Sequence, residues 1–357
     1  MNINTKKVTT SASPQPIFPA EKWPTALPED LGVDSTRLEQ AMEYLAHASQ
    51  AEGAEEALVI RRGRVIWQGP AVDRLHPVWS VSKVFTSTVL GILVDQGKCS
   101  LDTRLCEYAP FLAEQYPTIT FRHTVTMTSG YRGVGDVVGG TGSKTPFTPG
   151  EPLYPPGTKY GYNNDGMHIM AYTLTRIAAE PLKEVFARHI AAPIGMQSWE
   201  WRDFGVMDGI LQNGGTNNLG KGISVTASDM ARLAYLYLNK GNWNGRQLLS
   251  RSWIEQATSV QVPVEMPAIP YKSSDGAIGS GVYGFCWWVN GVTPEGKRLW
   301  PHAPAGTCCA QGACNNFCFI VPEWELILIR FGQVKVPSFD GKAVYDRVLG
   351  MIGEALV

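Results

Sequence analysis

The chain has almost no net charge: 31 Lys and Arg stand against 32 Asp and Glu over 357 residues. No basic field is available to hold a nucleic acid or an anionic membrane surface, so neither is expected as a partner. No apolar run is long enough to span a bilayer. Met1 to Pro19 is polar and Ser/Thr/Pro-rich, without the apolar stretch of a signal peptide. As given, the chain reads as cytoplasmic. A periplasmic or secreted protein whose export signal had been removed would read the same.

Metal-binding patterns are missing too. The six histidines are scattered and none forms His-Glu-x-x-His, which excludes the common zinc-peptidase signature. Seven cysteines include no Cys-x-x-Cys, and their odd number argues against a disulfide framework. Four of them lie between Cys308 and Cys318. Cys314 and Cys318 are expected on one face of a strand, as small buried residues. No metal and no cofactor is expected. No Gly-x-Ser-x-Gly elbow occurs, which counts against an α/β-hydrolase.

What is present is ordinary globular composition, 44% apolar and 18% charged, on a chain long enough for one or two lobes. Residues 1–33 read as an entry segment. Asp34 or Ser35 caps a helix to about Ala48 with Leu38, Met42 and Leu45 on one face. Leu58-Val59-Ile60 and Val65-Ile66-Trp67 predict a hairpin turned at Arg62-Gly63. A helical middle follows. Helices are expected from Ser80 to near Gly97, from Asp165 to about Ala179 and from Ser228 to Asn239. Gly130 to Gly157 is a Gly/Pro-rich segment without periodicity, of the length that usually walls a site. Strands are expected at Tyr283–Val289, Cys314–Val321 and Leu326–Phe331. A tight Pro322–Glu325 link joins the last two, and a closing helix runs over Lys342–Leu356.

This order predicts an α+β fold. First and last strands join in one antiparallel sheet flanked by terminal helices, from residues 34–79 and 225–357. Residues 80–224 form a mainly helical, all-α lobe. Ser80 falls at the junction, where clefts commonly form.

Ser80-Val81-Ser82-Lys83 is the only place where a serine precedes a lysine by three residues. It opens the apolar run Val84–Val94, which reads as a buried helix. Lys83 then lies one turn from Ser80 on the same face. A hydroxyl attacks weakly unless a neighbour takes its proton, and a lysine does so once burial lowers its pKa. A second cluster, Tyr162-Asn163-Asn164, puts a phenol and a carboxamide two residues apart at a helix start. Beside an ammonium the Tyr162 phenol can act as a base, and Asn164 can orient a substrate carbonyl or the lysine. A second Tyr-x-Asn, Tyr237-Leu238-Asn239, sits in a regular helix and reads as structural. His123 and His168 are candidates for the cleft wall. Trp199-Glu200-Trp201 and Trp287-Trp288 are candidates for pocket walls or for core.

With these pieces in order, the chain resembles the serine hydrolases grouped with class C β-lactamases, penicillin-binding DD-peptidases, family VIII esterases and 6-aminohexanoate-dimer hydrolases. The resemblance runs from about Leu31 to the C-terminus. It rests on Trp79–Lys83, on Thr126-Met127-Thr128-Ser129-Gly130, and on Pro156-Gly157 ahead of Tyr162-Asn163-Asn164. Pro193-Ile194-Gly195-Met196 and Thr226–Arg232 complete it. It implies a β-lactamase/transpeptidase-like fold with the site between lobes. It implies Ser80 as nucleophile and Lys83 with Tyr162 as the acid/base pair, either of which takes the proton.

The third family motif, Lys-Thr-Gly or its His variant, is absent from the late strands. Ala310-Gln311-Gly312-Ala313 is the best match. On that match the N–H groups of Ser80 and Ala313 form the oxyanion hole, and Gln311 and Gly312 face the substrate. The expected function is cleavage of a small ester or amide through an acyl-enzyme, carboxylesterase-like. The alternatives are a β-lactamase, a D-amino-acid peptide or amide hydrolase, and a sensor module that acylates without turnover. The expected partner is a small molecule, and nothing in the chain sets an oligomeric state.

Overall fold

The computed structural model describes residues 16–136, 142–269, 279–336 and 339–357. Its centre is a six-stranded antiparallel sheet. In spatial order the strands are Trp288–Val289, Cys308–Gly312, Asn316–Val321, Leu326–Phe331, Glu56–Arg61 and Arg64–Gln68. The early hairpin thus pairs with the late strands, as expected, with Leu58 opposite Ile329 and Ile60 opposite Ile327. Three central strands are buried along their whole length, which is why they read as apolar runs rather than alternating ones.

Side chains still alternate between two faces. Val59, Phe317, Phe319, Val321 and Leu328 point into one apolar cluster with the helices Ser35–Ser49 and Gly341–Ala355. Asp34 caps the first of these by accepting from Arg37 N, and Leu38, Met42 and Leu45 are its buried stripe. Leu58, Ile60, Cys318, Ile320 and Ile329 point the other way. They share a larger cluster with helix Ala227–Leu238 and with the helices of the middle. There, helix Ser82–Asp95 packs against Asn164–Ala178 and Leu182–Phe186. Among the described residues no helix is long and apolar enough to cross a membrane.

Four expectations need correction. Tyr283–Val289 is not one strand: Cys286 takes φ +64°, the segment folds back so that Tyr283 bridges Trp288, and the sheet strand is Trp288–Val289 alone. Cys314 is not on a strand face; it sits with Asn315 in a turn where both have φ +60°, ahead of the strand that starts at Asn316. The segment 130–157 carries a short strand pair, Gly133–Val134 with Thr145–Pro149, while 137–141 lie outside the described residues. The middle is not all-α: a small sheet of His76–Pro77, Ile223–Val225 and Trp199–Trp201 and a hairpin of Asp203–Met207 with Ile210–Asn213 were not expected, because strands this short leave little periodic signal.

Candidate active site

Ser80 does not start the helix, as its spacing suggested. It lies in a single 3₁₀ turn, Trp79–Val81, and the α-helix begins at Ser82. Two neighbours fix that turn. On one side His76 pairs with Val225, and Val78 N donates to Ile223 O at 3.1 Å. On the other, the end of strand Cys308–Gly312 presses against it. A Cβ at Gly312 would run into Val78 O and come within 3.1 Å of Ser80 N. Only glycine permits that approach. Trp79 takes φ +52°, an uncommon conformation for a large side chain and one held by its surroundings.

Lys83 is 1% exposed. Its Nζ lies 2.9 Å from Ser80 Oγ and 2.8 Å from Thr216 Oγ1. The Tyr162 ring covers it, 4.6 Å from Nζ to centroid. Among the described residues no carboxylate offsets its burial, which pushes the amine down to about 7. Near neutral pH a large fraction is therefore free base. A free amine at hydrogen-bond distance from a hydroxyl can accept its proton.

Tyr162 is half-buried at the mouth of helix Asn164–Ala178. Asn163 makes the helix cap, its side chain accepting from Gly166 N at 2.7 Å and donating to Tyr131 O. Asn164 follows, buried in the first turn of that helix. Trp288 lies nearly parallel to the Tyr162 ring, 6.4 Å away at 15°, and Tyr283 meets Trp288 edge-on. Trp288 therefore does wall this region, while Trp287 and Trp201 belong to the core.

Gln311 is exposed on its strand, Gly312 is buried against Ser80, and Ala313 follows, exposed, at the start of the turn. Arg330 steadies that turn from beneath, its Nη1 donating to Cys314 O at 3.2 Å and Asn315 O at 3.3 Å. The geometry thus brings Ser80, Lys83, Tyr162 and Gly312 together.

Other candidates fall elsewhere. His123 caps the short helix Phe121–Val125 with Thr120. His168 does not line the cleft; it is fully buried behind Gly215, whose N–H donates to its Nδ1 at 3.2 Å. Tyr237 hydrogen-bonds Thr88 Oγ1 at 2.9 Å inside the core, and burial pushes its phenol up to about 12. All seven cysteines are free thiols. Thr216 was missed. Its only sequence signal is the Gly214-Gly215 pair before it, a hint of close backbone approach.

Comparison with known proteins places the fold and the family. The chain is 23% identical over 319 residues to a 6-aminohexanoate-dimer hydrolase of Paenarthrobacter ureafaciens, covering 80% of this chain and 76% of that protein. Its fold matches EstCE1, a hydrolase with promiscuous acyltransferase activity, at TM-score 0.67 and 15% identity over 89% of this chain and 99% of that one. It also matches a penicillin-binding protein homolog from Caulobacter crescentus, at TM-score 0.64 and 16% identity over 91% and 99%. The fold is therefore β-lactamase/transpeptidase-like, an α+β arrangement. The family model described as Beta-lactamase matches residues 38–349, and the chain belongs to that family of serine hydrolases.

Proposed function

We propose that this protein hydrolyses a small, uncharged ester or amide through an acyl-enzyme on Ser80. The observation that carries the reading is the 2.9 Å approach of Ser80 Oγ to a buried lysine amine lowered to about 7. Lys83 as free base takes the Ser80 proton while Oγ attacks the carbonyl carbon. The N–H groups of Ser80 and Ala313 receive the oxyanion. Tyr162, against Lys83, relays a proton to the leaving group and then draws one from the water that releases the acyl group. Asn164 orients the substrate. This chemistry needs no metal or cofactor.

Substrate class follows from Ala310 and Gln311. Ala310, buried on its strand, stands where relatives are expected to carry a cation, and Gln311 beside it is exposed and neutral. A charge-assisted bond to a substrate carboxylate is worth about 1.5–3 kcal/mol, or about ten- to a hundredfold in affinity. Gln311 offers only a neutral bond, and the nearby wall is the aromatic pair Tyr162 and Trp288. A short neutral ester is therefore expected to give higher kcat/KM than a cephalosporin or penicillin. The name of the Paenarthrobacter relative favours a small linear amide as the second reading.

The test has two parts. A fluorophosphonate should add its mass at Ser80 alone. Ser82 Oγ already accepts from Ile223 N, and Ser129 Oγ from Tyr131 N. Chromogenic cephalosporin turnover exceeding that of a short nitrophenyl ester would overturn the substrate class. Labelling at Ser82 or Ser129 would overturn the nucleophile.

A further inference from the structure

Lys83 must point its lone pair at Ser80, and nothing in a flexible four-carbon stem ensures that. A free amine has two N–H groups and one lone pair. Three partners surround Nζ: Ser80 Oγ at 2.9 Å, Thr216 Oγ1 at 2.8 Å and the face of Tyr162. We infer that Thr216 is a positioning residue for Lys83: its hydroxyl oxygen accepts one amine N–H and so turns the lone pair toward the Ser80 proton. The inference rests on reading Ser80 and Lys83 as nucleophile and base.

A positioning group must itself be fixed, and Thr216 is. The residue before it is pinned from two helices. Gly215 O accepts from Thr86 Oγ1 at 3.0 Å, and Gly215 N donates to His168 Nδ1 at 3.2 Å. A Cβ at Gly215 would collide with Met167 O, so glycine is what lets this segment lie so close to the second helix. Further along the same segment, Ile223 N donates to Ser82 Oγ at 2.8 Å. Ser82 and Thr86 flank Lys83 on its own helix. The segment carrying Thr216 is thus bolted to the nucleophile helix on both sides of the lysine.

His168 suits this task because it stays neutral. Burial, with the Lys83 charge adding to it and the Asn218 backbone opposing, pushes it down to about 3. Across the working range Nδ1 therefore remains an acceptor for Gly215 N–H. When Ser80 is deprotonated, one proton moves from Oγ to Nζ and the amine becomes an ammonium. Thr216 keeps accepting throughout, so its contact need not rearrange during the step.

The experiment uses the full chain with Thr216→Val, which is nearly isosteric, and Thr216→Ser, which keeps the hydroxyl. The readout is the second-order rate of fluorophosphonate labelling at Ser80 as a function of pH, with melting temperature followed alongside. Thr216→Val should slow labelling about ten- to a hundredfold, the cost of a misaimed group. It should also move the acid limb to lower pH, because the ammonium loses an acceptor. Thr216→Ser should restore rate and limb together. If Thr216→Val does not fold, Thr216→Ala makes the same comparison against Thr216→Ser. Native-rate labelling by the valine variant, with an unmoved limb, overturns the inference. So does a folded serine variant as slow as valine, which would assign the effect to the methyl group. A native chain that is not labelled at Ser80 instead sinks the underlying reading of the site.

Discussion

Lys83 and Arg330 are both cations about 1% exposed, yet the molecule treats them in opposite ways. Arg330 is surrounded by carbonyl oxygens. Its Nε donates to Gly53 O at 3.0 Å, its Nη1 to Cys314 O and Asn315 O, and its Nη2 to Ala51 O at 3.3 Å. Lys83 has two hydroxyls and an aromatic face. Carbonyl dipoles, together with the Glu52 carboxylate that Arg330 helps to pull down, repay a buried guanidinium. Hydroxyls repay a buried ammonium poorly, so the lysine is driven toward free base. Burial alone makes neither group reactive; the identity of the partners does. The two are also linked. Arg330 holds the turn that follows Gly312, and Gly312 packs against the Ser80 backbone.

The largest effect should come from removing the reactive half of this pair. Lys83→Ala should lower kcat/KM for a short ester by at least about 10²–10⁴, the usual scale for losing an acid/base group. Tyr162→Phe should fall in the same range, since it deletes only a hydroxyl. Tyr237→Phe removes a phenol that bonds Thr88 in the core, and should leave turnover nearly unchanged. Steady-state kinetics on folded variants checks this. Tyr237→Phe losing as much activity as Tyr162→Phe would erase the distinction drawn between the two tyrosines.

A smaller effect, on stability, should have opposite signs at the two cations. Arg330→Met strands at least four carbonyl contacts and should destabilise by about 3–5 kcal/mol, the cost of breaking a buried satisfied cation. Lys83→Met removes a group that resents burial and should stabilise by about 1–3 kcal/mol near pH 7. The sign of its pH dependence follows from linkage. Burial lowers Lys83 to about 7 in the folded chain, against its ordinary 10.5 when unfolded. Between these values the unfolded chain binds more protons, so the native protein gains stability as pH rises. The advantage of Lys83→Met should therefore shrink toward pH 10.5. Urea midpoints at several pH values measure it, and a destabilised Lys83→Met at neutral pH would contradict this account of the amine.

The comparison also separates what the sequence shows from what it hides. Ser80 and Lys83 were legible because three residues along a chain entering a helix is a local spacing, readable without tertiary structure. Tyr162 and Asn164 were legible as a turn before a helix. The pairing of the early hairpin with the late strands followed from apolar runs at both ends of the chain. Thr216 was hidden, because its meaning lies 133 positions away at Lys83. The parallel packing of Trp288 on Tyr162 was hidden for the same reason. The misread strand at Tyr283–Val289 has a different cause. Its aromatic and apolar residues fit a strand, but Cys286 adopts a positive φ, with its buried side chain against Val125 O and Met167 Sδ. Tertiary packing overrode the local preference there.

The smallest effect concerns a third buried base, which lies between these two extremes. His76 starts the segment that leads into the Trp79–Val81 turn and is 3% exposed. Burial pulls its pKa down, as at Lys83. Glu56 Oε2, only 2.6 Å from Nε2, pushes it up, and the Pro77 carbonyl and Glu52 add to that push. The upward causes win, so His76 is raised above 6.5 where Lys83 is lowered. Arg74 braces the same Glu56 carboxylate at 3.1 Å. A raised histidine contributes stability that is fully present below its unfolded value and is lost as pH rises through its folded value. Lys83 works in the other direction above about 7, so the native stability curve alone mixes the two. The difference between the native chain and His76→Gln isolates the histidine, because Lys83 is common to both. That difference should be widest below pH 6.5 and should narrow as pH rises through the raised folded value. A difference that stays flat, or widens with pH, would mean that Glu56 does not rescue His76. The contrast with Lys83 would then have lost its middle case.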